Sequence, residues 1–263
     1  MKFEKQDEKN KKPIAVIIGG GQGIGEATSI IMASRKWQVI IVDIDEKKSK
    51  KIAQKLGAFY FNADISNEKE IYTVSKKIEK NIGPVQALVV AAAIFQNLIN
   101  SEDLRIEYWK NIIETNLTGT FIANKIFAKK MITRKKGSIV NISSIAALGS
   151  MPVQAYGTSK AGVVHLTKNL AGEWGRLGIR VNCVSPGSTL VERVKKRIKA
   201  NRYDKHPSHF TATGKILHPN EIAEVIEFLC SEKSSGITGV NIPVDGGWHV
   251  ATSWAQFGGL RTN

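Results

Sequence analysis

Ile14-Ala15-Val16-Ile17-Ile18 runs straight into Gly19-Gly20-Gly21-Gln22-Gly23-Ile24-Gly25, and then into Glu26-Ala27-Thr28. Apolar, mostly β-branched residues closed off by glycines read as a strand buried on both faces. The glycines read as a strand-to-helix turn. There a backbone without side chains can approach a diphosphate, and the first N–H groups of the following helix face that anion. A second β-branched run, 38–42, ends at Asp43-Ile44. A carboxylate at that strand end, about 20 residues past the turn, can accept hydrogen bonds from the ribose hydroxyls of an adenosine. It would also repel a 2′-phosphate. Neither Ile44 nor Gln22 is basic, so the pattern predicts NAD in preference to NADP.

Outward from this unit the chain keeps alternating. Short β-branched runs at 14–18, 38–42, 59–62, 87–90, 137–142, 180–184 and 239–244 are separated by longer amphipathic stretches. Strand–helix alternation predicts an α/β fold, a single doubly wound Rossmann-type domain over 13–250 with a seven-stranded parallel sheet and helices on both faces. Ligands of such sheets bind beyond the C-terminal strand ends. Asp64-Ile65, after the third run, falls where an adenine edge would lie. Asp64 is equally placed to cap the next helix. Residues 1–12 are charged and aperiodic and read as a disordered leader. Residues 190–216 are polar and poorly periodic and read as a mobile lid, and 251–263 form a C-terminal tail.

Composition narrows the partners. Of 263 residues, 42% are apolar and 23% charged, which excludes collagen, low-complexity disorder and a disulfide scaffold. The longest apolar run, 87–95, is about half of a membrane span, and no signal-peptide core follows the charged start. The two cysteines, Cys183 and Cys230, match no metal or redox spacing. A cytoplasmic protein without membrane insertion is expected. The formal charge of +15 allows nucleic-acid binding, but the lysines are scattered and no aromatic-interleaved basic motif appears, so a solvated surface is the expectation. The densest basic stretch is 190–205, with Arg193, Lys195, Lys196, Arg197, Lys199, Arg202 and Lys205 against Glu192 and Asp204.

The chemistry is most visible in Tyr156-Gly157-Thr158-Ser159-Lys160. On a helix, positions four apart share a face. A neighbouring ammonium stabilises phenolate and draws a tyrosine down toward its working range, making a general acid/base for an alcohol–ketone pair. The run ending at 142 delivers Ser143-Ser144, whose hydroxyl can donate to a substrate oxygen as charge develops on it.

These elements together resemble the short-chain dehydrogenase/reductase family, of the NAD-dependent type with about 250 residues. The likeness covers about 13–247. It rests on Gly19-x-x-x-Gly23-Ile24-Gly25, Asp43, Asp64, Asn116-Leu117-Thr118-Gly119, Ser143-Ser144, Tyr156-x-x-x-Lys160, Pro186-Gly187 and Asp245-Gly246-Gly247, in that order. The resemblance implies a catalytic tetrad of Asn116, Ser144, Tyr156 and Lys160. Asn116 would hold a water linking Lys160 to solvent, and Lys160 would also bind the nicotinamide ribose. Pro186 and Gly187 would run along the nicotinamide, with Thr189 against its amide. The cofactor's other contacts would be Gly19, Gln22, Gly23, Ile24, Gly25, Asp43, Ile44, Asp64 and Ile65, with the backbone of Ala91 and Ala92. The chain departs from the family at Ile18, where threonine is usual, and at Val90-Ala91-Ala92-Ala93, where Asn-Asn-Ala-Gly is usual. The tyrosine normally follows the serine by 13 residues; Ser144 lies 12 before Tyr156 and Ser143 lies 13 before. Ser144 is assigned by its place at the strand end, with Ser143 in reserve.

The predicted activity is NAD-dependent interconversion of a secondary alcohol and a ketone, on a small-molecule substrate. A 3-oxoacyl thioester reductase is the alternative enzyme, and a nucleotide-sensing or nucleic-acid-binding relative the alternative without catalysis. Four residues, Pro186-Gly187-Ser188-Thr189, resemble enzymes that oxidise cyclic dihydrodiols. A homotetramer is expected, with the helix near Pro219–Cys230 and the strand 240–244 at a two-fold interface. Trp248, Trp254 and Phe257 are expected to be buried against the same or a neighbouring subunit, close to the 190–216 lid.

Overall fold

The computed structural model describes residues 12–260. Strand β1 (Ile14–Ile18) is buried along its whole length. Successive side chains of a strand point to opposite faces, so each face of β1 meets its own core. Val16 and Ile18 join the cluster formed with Ile71, Ile78, Phe127 and Trp174. Ala15 and Ile17 join the one formed with Met32, Ile52, Ile226 and Leu229. Two covered faces explain why the run is continuously apolar rather than alternating.

The sheet adds β2 (Gln38–Asp43), β3 (Phe59–Asn62), β4 (Val85–Val90), β5 (Gly137–Ile142), β6 (Ile179–Pro186) and β7 (Asn241–Val244). All pairings are parallel, in the order β3-β2-β1-β4-β5-β6-β7. The order reverses between β1 and β4. Crossovers leave them in opposite directions there, opening a crevice past the strand ends. Helices α1 (Gly23–Ser34) and α2 (Glu46–Leu56) precede α3 (Glu68–Asn81), α4 (Ile106–Ile113), α5 (Gly119–Arg134) and α6 (Gln154–Trp174). They are followed by α7 (Glu192–Lys199), α8 (Pro219–Cys230) and α9 (Trp248–Ala251). Helices α3, α5 and α6 supply one core, and α1, α2 and α8 the other. Among the described residues no helix is long and apolar enough to cross a membrane. Burial pushes the thiols of Cys183 and Cys230 up to about 12, so both are inert core residues.

The leader at 1–12 lies outside the described residues except for its last residue. The 190–216 stretch is not irregular: it carries α7 and a 3₁₀ turn at Pro207–Phe210. Its helix leaves no apolar period because Val194 is its one buried residue and Ile198 its only other apolar one, the rest being charge. In the tail, Trp254 is 53% and Phe257 80% exposed, so the chain's own fold does not bury them. The last turn, Thr252–Phe257, follows directly on Ala251, the buried residue of α9.

Candidate active site

The glycine turn is shaped by close approaches. Gly19 has φ of +80°, and a Cβ there would fall 2.5 Å from the Ala92 amide nitrogen. A Cβ on Gly25 would fall 2.0 Å from the Gly19 carbonyl oxygen. Without the threonine usual at position 18, the turn is held by backbone bonds from Gly19 N to Val42 O (2.7 Å) and from Ala91 N to Ile18 O (2.8 Å).

Asp43 is buried under this turn. Its Oδ2 accepts from Gly21 N at 2.9 Å and its Oδ1 from Asp45 N at 3.0 Å. Ile44 is exposed beside it. A cation does reach this end of the site, from a residue that sequence reading missed. Lys48 Nζ donates to Gln22 Oε1 at 2.9 Å and pairs with Asp45 Oδ2 at 3.0 Å. It stands on the first turn of α2, beyond the position after the strand that the motif inspects. Asp64 Oδ1 accepts from Ser66 N and Ser66 Oγ, closing a tight turn. The cap of α3 is Asn67, whose side chain accepts from Lys69 N and Glu70 N, so Asp64 is not the cap. Asp64 and Ile65 both line the cleft.

At the other end, β5 delivers Ser143 and Ser144 while α6 delivers Tyr156 and Lys160. The two serines point to different tasks. Ser143 Oγ donates to Lys160 O at 2.8 Å and pins α6 to the strand end. Ser144 faces Tyr156. Burial raises the Tyr156 phenol above its ordinary value, opposed by the Ser144 hydroxyl and by the Arg193 charge. The net direction is upward, and Lys160 is not among the groups that oppose it. Lys160 Nζ lies 5.8 Å from the phenol ring centroid and donates to Ile142 O at 2.8 Å. Burial in turn drags Lys160 down from 10.5 to about 8, because an ammonium with one carbonyl for company is poorly solvated.

Asn116 sits in a π-helical turn, Glu114–Thr118, between α4 and α5. Its Oδ1 accepts from Ile94 N at 2.8 Å, and its Nδ2 donates to Ile94 O (2.9 Å) and Ser159 Oγ (3.1 Å). These bonds clamp the loop after β4 to α6. Pro186 and Gly187 follow β6. Gly187 N donates to Val244 O at 2.9 Å, and Thr189 Oγ1 donates to Gly187 O at 2.9 Å.

Two further positions were not legible in the sequence. Gln96 is fully buried, and its Oε1 accepts from Ala155 N (2.8 Å) and Tyr156 N (3.1 Å). It supplies the acceptor that the first turn of α6 lacks, since Val153 offers no side-chain cap. The signal was a lone amide closing an apolar run. Phe95, within that run, packs against Tyr156 with centroids 4.7 Å apart.

One cleft of about 930 Å³ joins all these groups, from Gly19, Asp43 and Asp64 past Ala91, Ala92, Pro186 and Gly187 to Ser144, Tyr156 and Lys160. The cleft thus runs from the glycine turn to a hydroxyl, a phenol and an amine. The family model described as enoyl-(acyl carrier protein) reductase matches residues 19–249. Cis-4-hydroxycyclohexanecarboxylate dehydrogenase of Sinomonas cyclohexanicum is 32% identical, over 89% of this chain and 96% of its own length. NAD-dependent glycerol dehydrogenase of Listeria innocua serovar 6a is also 32% identical, over 90% and 94%. A solved structure described as ribose-5-phosphate isomerase from Brucella melitensis 16M superposes with a TM-score of 0.92 at 37% identity, covering 95% of this chain and 98% of that one. Another, described as a short chain dehydrogenase/reductase family protein, gives 0.83 at 30%, covering 90% and 97%. A third, described as ElxO with NADP bound, gives 0.86 at 29%, covering 90% and 99%.

Proposed function

The chain belongs to the short-chain dehydrogenase/reductase family and is an NAD(P)-dependent oxidoreductase of alcohols and ketones, and on that premise we propose that NAD is its cofactor and Tyr156 its acid/base. The observation that carries the reading is the convergence of Ser144, Tyr156 and Lys160 at one end of a cleft whose other end holds a buried carboxylate beneath a glycine turn.

The cradle suits a dinucleotide. Gly19 and Gly25 leave room only where no side chain stands, and the start of α1 turns its N–H groups toward that room. Asp43 keeps acceptor capacity for ribose hydroxyls and disfavours a 2′-phosphate. Lys48 is tied to Asp45 and Gln22 rather than standing free for such a phosphate. Gln22, Gly23, Ile24, Ile44, Asp64, Ile65, Ala91 and Ala92 would border the adenosine half, and Pro186, Gly187 and Thr189 the nicotinamide half. When bound, the nicotinamide supplies the hydride acceptor for the alcohol carbon.

Tyr156 takes the hydroxyl proton in oxidation and returns it to the ketone oxygen in reduction. Ser144 donates to that oxygen and supports the charge that builds on it. Lys160 offers its ammonium to the nicotinamide ribose. Asn116 acts by holding the loop after β4 against α6, and Gln96 by fixing the first turn that carries Tyr156. An isomerase reading, raised by the description of the Brucella structure, would leave the glycine cradle and Asp43 without a task. We further infer a cytoplasmic homotetramer, with α8 and β7 at one two-fold interface and the exposed Trp254 and Phe257 covered by a neighbouring subunit.

The deciding experiment is a panel of secondary alcohols and ketones followed by NADH absorbance, with NADP and a 3-oxoacyl thioester as comparators. Turnover with a higher kcat/KM for NAD supports the proposal. A preference for NADP would overturn the cofactor assignment. Efficient reduction of the thioester with NADPH would favour the acyl-thioester reductase instead.

A further inference from the structure

The substrate end of the cleft carries charge that the proposed chemistry does not use. Arg193 Cζ lies 3.6 Å from the centroid of the Phe95 ring, and Phe95 itself packs on Tyr156. Phe95 therefore touches both the guanidinium and the acid/base, and the two charges act on each other. Stacking occupies a face of the guanidinium and leaves its N–H edge free to donate. Arg197, four residues on along the same face of α7, stacks over Tyr203 at 5.3 Å. Arg202 and Lys205 line the same cleft, with Asp204 as the acid among them.

Elsewhere among the described residues Arg35, Arg105 and Arg134 pair with carboxylates, and Arg180 is held by backbone carbonyls. Arg35 binds Glu224 and Glu227, and Arg134 binds Glu79. Among the described residues, no ion pair or hydrogen bond joins Arg193, Arg197 or Arg202 to any carboxylate. Burial lowers the Arg193 guanidinium, and the charge of Arg197 lowers it further, so like charges face one another here. Holding them together at the mouth of a pocket is unfavourable until an anion arrives. Around them the walls are carbon: Leu98, Ile145, Met151 and Val153.

We propose that the substrate is an alcohol or ketone with a carboxylate or phosphate on its carbon skeleton, the anion held by the N–H edge of Arg193 with Arg197 behind it. This inference rests on the oxidoreductase reading above. The competing role for Arg193 is neutralising the cofactor diphosphate, since Val191 at the entry to α7 lies against Gly23 of the turn.

The test compares Arg193→Met with wild type on matched pairs: 4-hydroxycyclohexanecarboxylate against cyclohexanol for the carboxylate, and glycerol 3-phosphate against glycerol for the phosphate. Helix α7 is anchored by the buried Val194 rather than by Arg193, whose guanidinium lies on Phe95, so the variant is expected to retain the fold. In wild type the anionic member of at least one pair is expected to have the higher kcat/KM. The variant is expected to lose about 10- to 100-fold on that member, through KM, as removal of a charge-assisted hydrogen bond implies. Its kcat/KM for the neutral partner is expected to fall far less, through kcat rather than KM, since the Arg193 charge also acts on Tyr156, and its Kd for NADH to stay within about twofold. The pair that responds identifies the anion. Equal loss on both members with weakened NADH binding would assign Arg193 to the cofactor and overturn the inference, as would a wild-type enzyme indifferent to the anion. If none of the four alcohols turns over, calorimetry of benzoate and of inorganic phosphate on the NADH-loaded protein decides. Binding by wild type, lost in the variant, upholds the anion site. Failure of both to bind wild type overturns it. Failure of NADH itself to bind would sink the underlying oxidoreductase reading.

Discussion

Replacing Lys160 by methionine is expected to give a more stable protein that no longer works. Lys160 is 2% exposed, and among the described residues the one hydrogen bond of its ammonium is to Ile142 O at 2.8 Å. It titrates at about 8 where a lysine ordinarily titrates at 10.5. At about 1.4 kcal/mol for each tenfold in the proton equilibrium, keeping the ammonium in this site costs roughly 3 kcal/mol near neutral pH. Methionine fills similar volume without charge. The lost bond to Ile142 O takes back about 1 kcal/mol. The net gain is roughly 2 kcal/mol, or about 4–8 °C in Tm for a chain of this size. The sign of the pH dependence follows from proton counts. Below about pH 8 both folded and unfolded wild type hold the proton, and the full penalty is present. From about pH 8 to 10.5 the unfolded chain holds more protons than the folded one, so wild-type stability rises relative to the variant. Past that window the neutral amine keeps its bond to Ile142 O, and wild type is expected to match or slightly exceed the variant. Thermal melts of both proteins across this range, alongside NAD binding and turnover, check the reasoning. A variant less stable than wild type near neutral pH, or a stability gap unchanged up to about pH 10.5, would refute it.

Tyr156→Phe is expected to lower turnover at least tenfold in either direction while NADH binding stays close to wild type, as measured by NADH fluorescence titration. Because burial holds the phenol protonated, alcohol oxidation by wild type is expected to accelerate as pH rises; a flat profile would count against Tyr156 as the base. Asp43→Ala combined with Ile44→Arg removes a carboxylate that repels a 2′-phosphate and adds a guanidinium at an exposed position. The ratio of kcat/KM for NADP over NAD is expected to rise by at least tenfold. Deleting 252–263 removes Trp254 and Phe257, both exposed in the single chain. If a neighbouring subunit covers them, light scattering will show weakened assembly and KM for substrate will rise with NAD affinity unchanged; intact assembly and unchanged KM would end that reading.

The sequence by itself determined the fold and the parts of the site that lie on one element. β1 is continuously apolar because two cores claim its two faces, and that shows in the residue types alone. The glycines show because close approaches at Gly19 and Gly25 admit no side chain. Tyr156 and Lys160 show because helical spacing is local. Whatever depends on contact between distant elements was decided only by the tertiary structure. Ser143 and Ser144 are chemically identical neighbours, and the strand end turning one toward Lys160 O and the other toward Tyr156 is what separates them. The expectation that Lys160 lowers the phenol assumed solvated charges. Packing buried Lys160, half-buried Tyr156 and sent the amine to Ile142 O, so desolvation outweighs attraction. Gln96 supports Tyr156 from 60 residues away, and Lys48 reaches Gln22 across 26. Arg193 reads as one more cation in a basic stretch until α7 lays it on Phe95. A chain pattern records which side chains one element presents to a core. It does not record which polar groups meet when elements from different parts of the chain close over one another, and the chemistry of this cleft depends on those meetings.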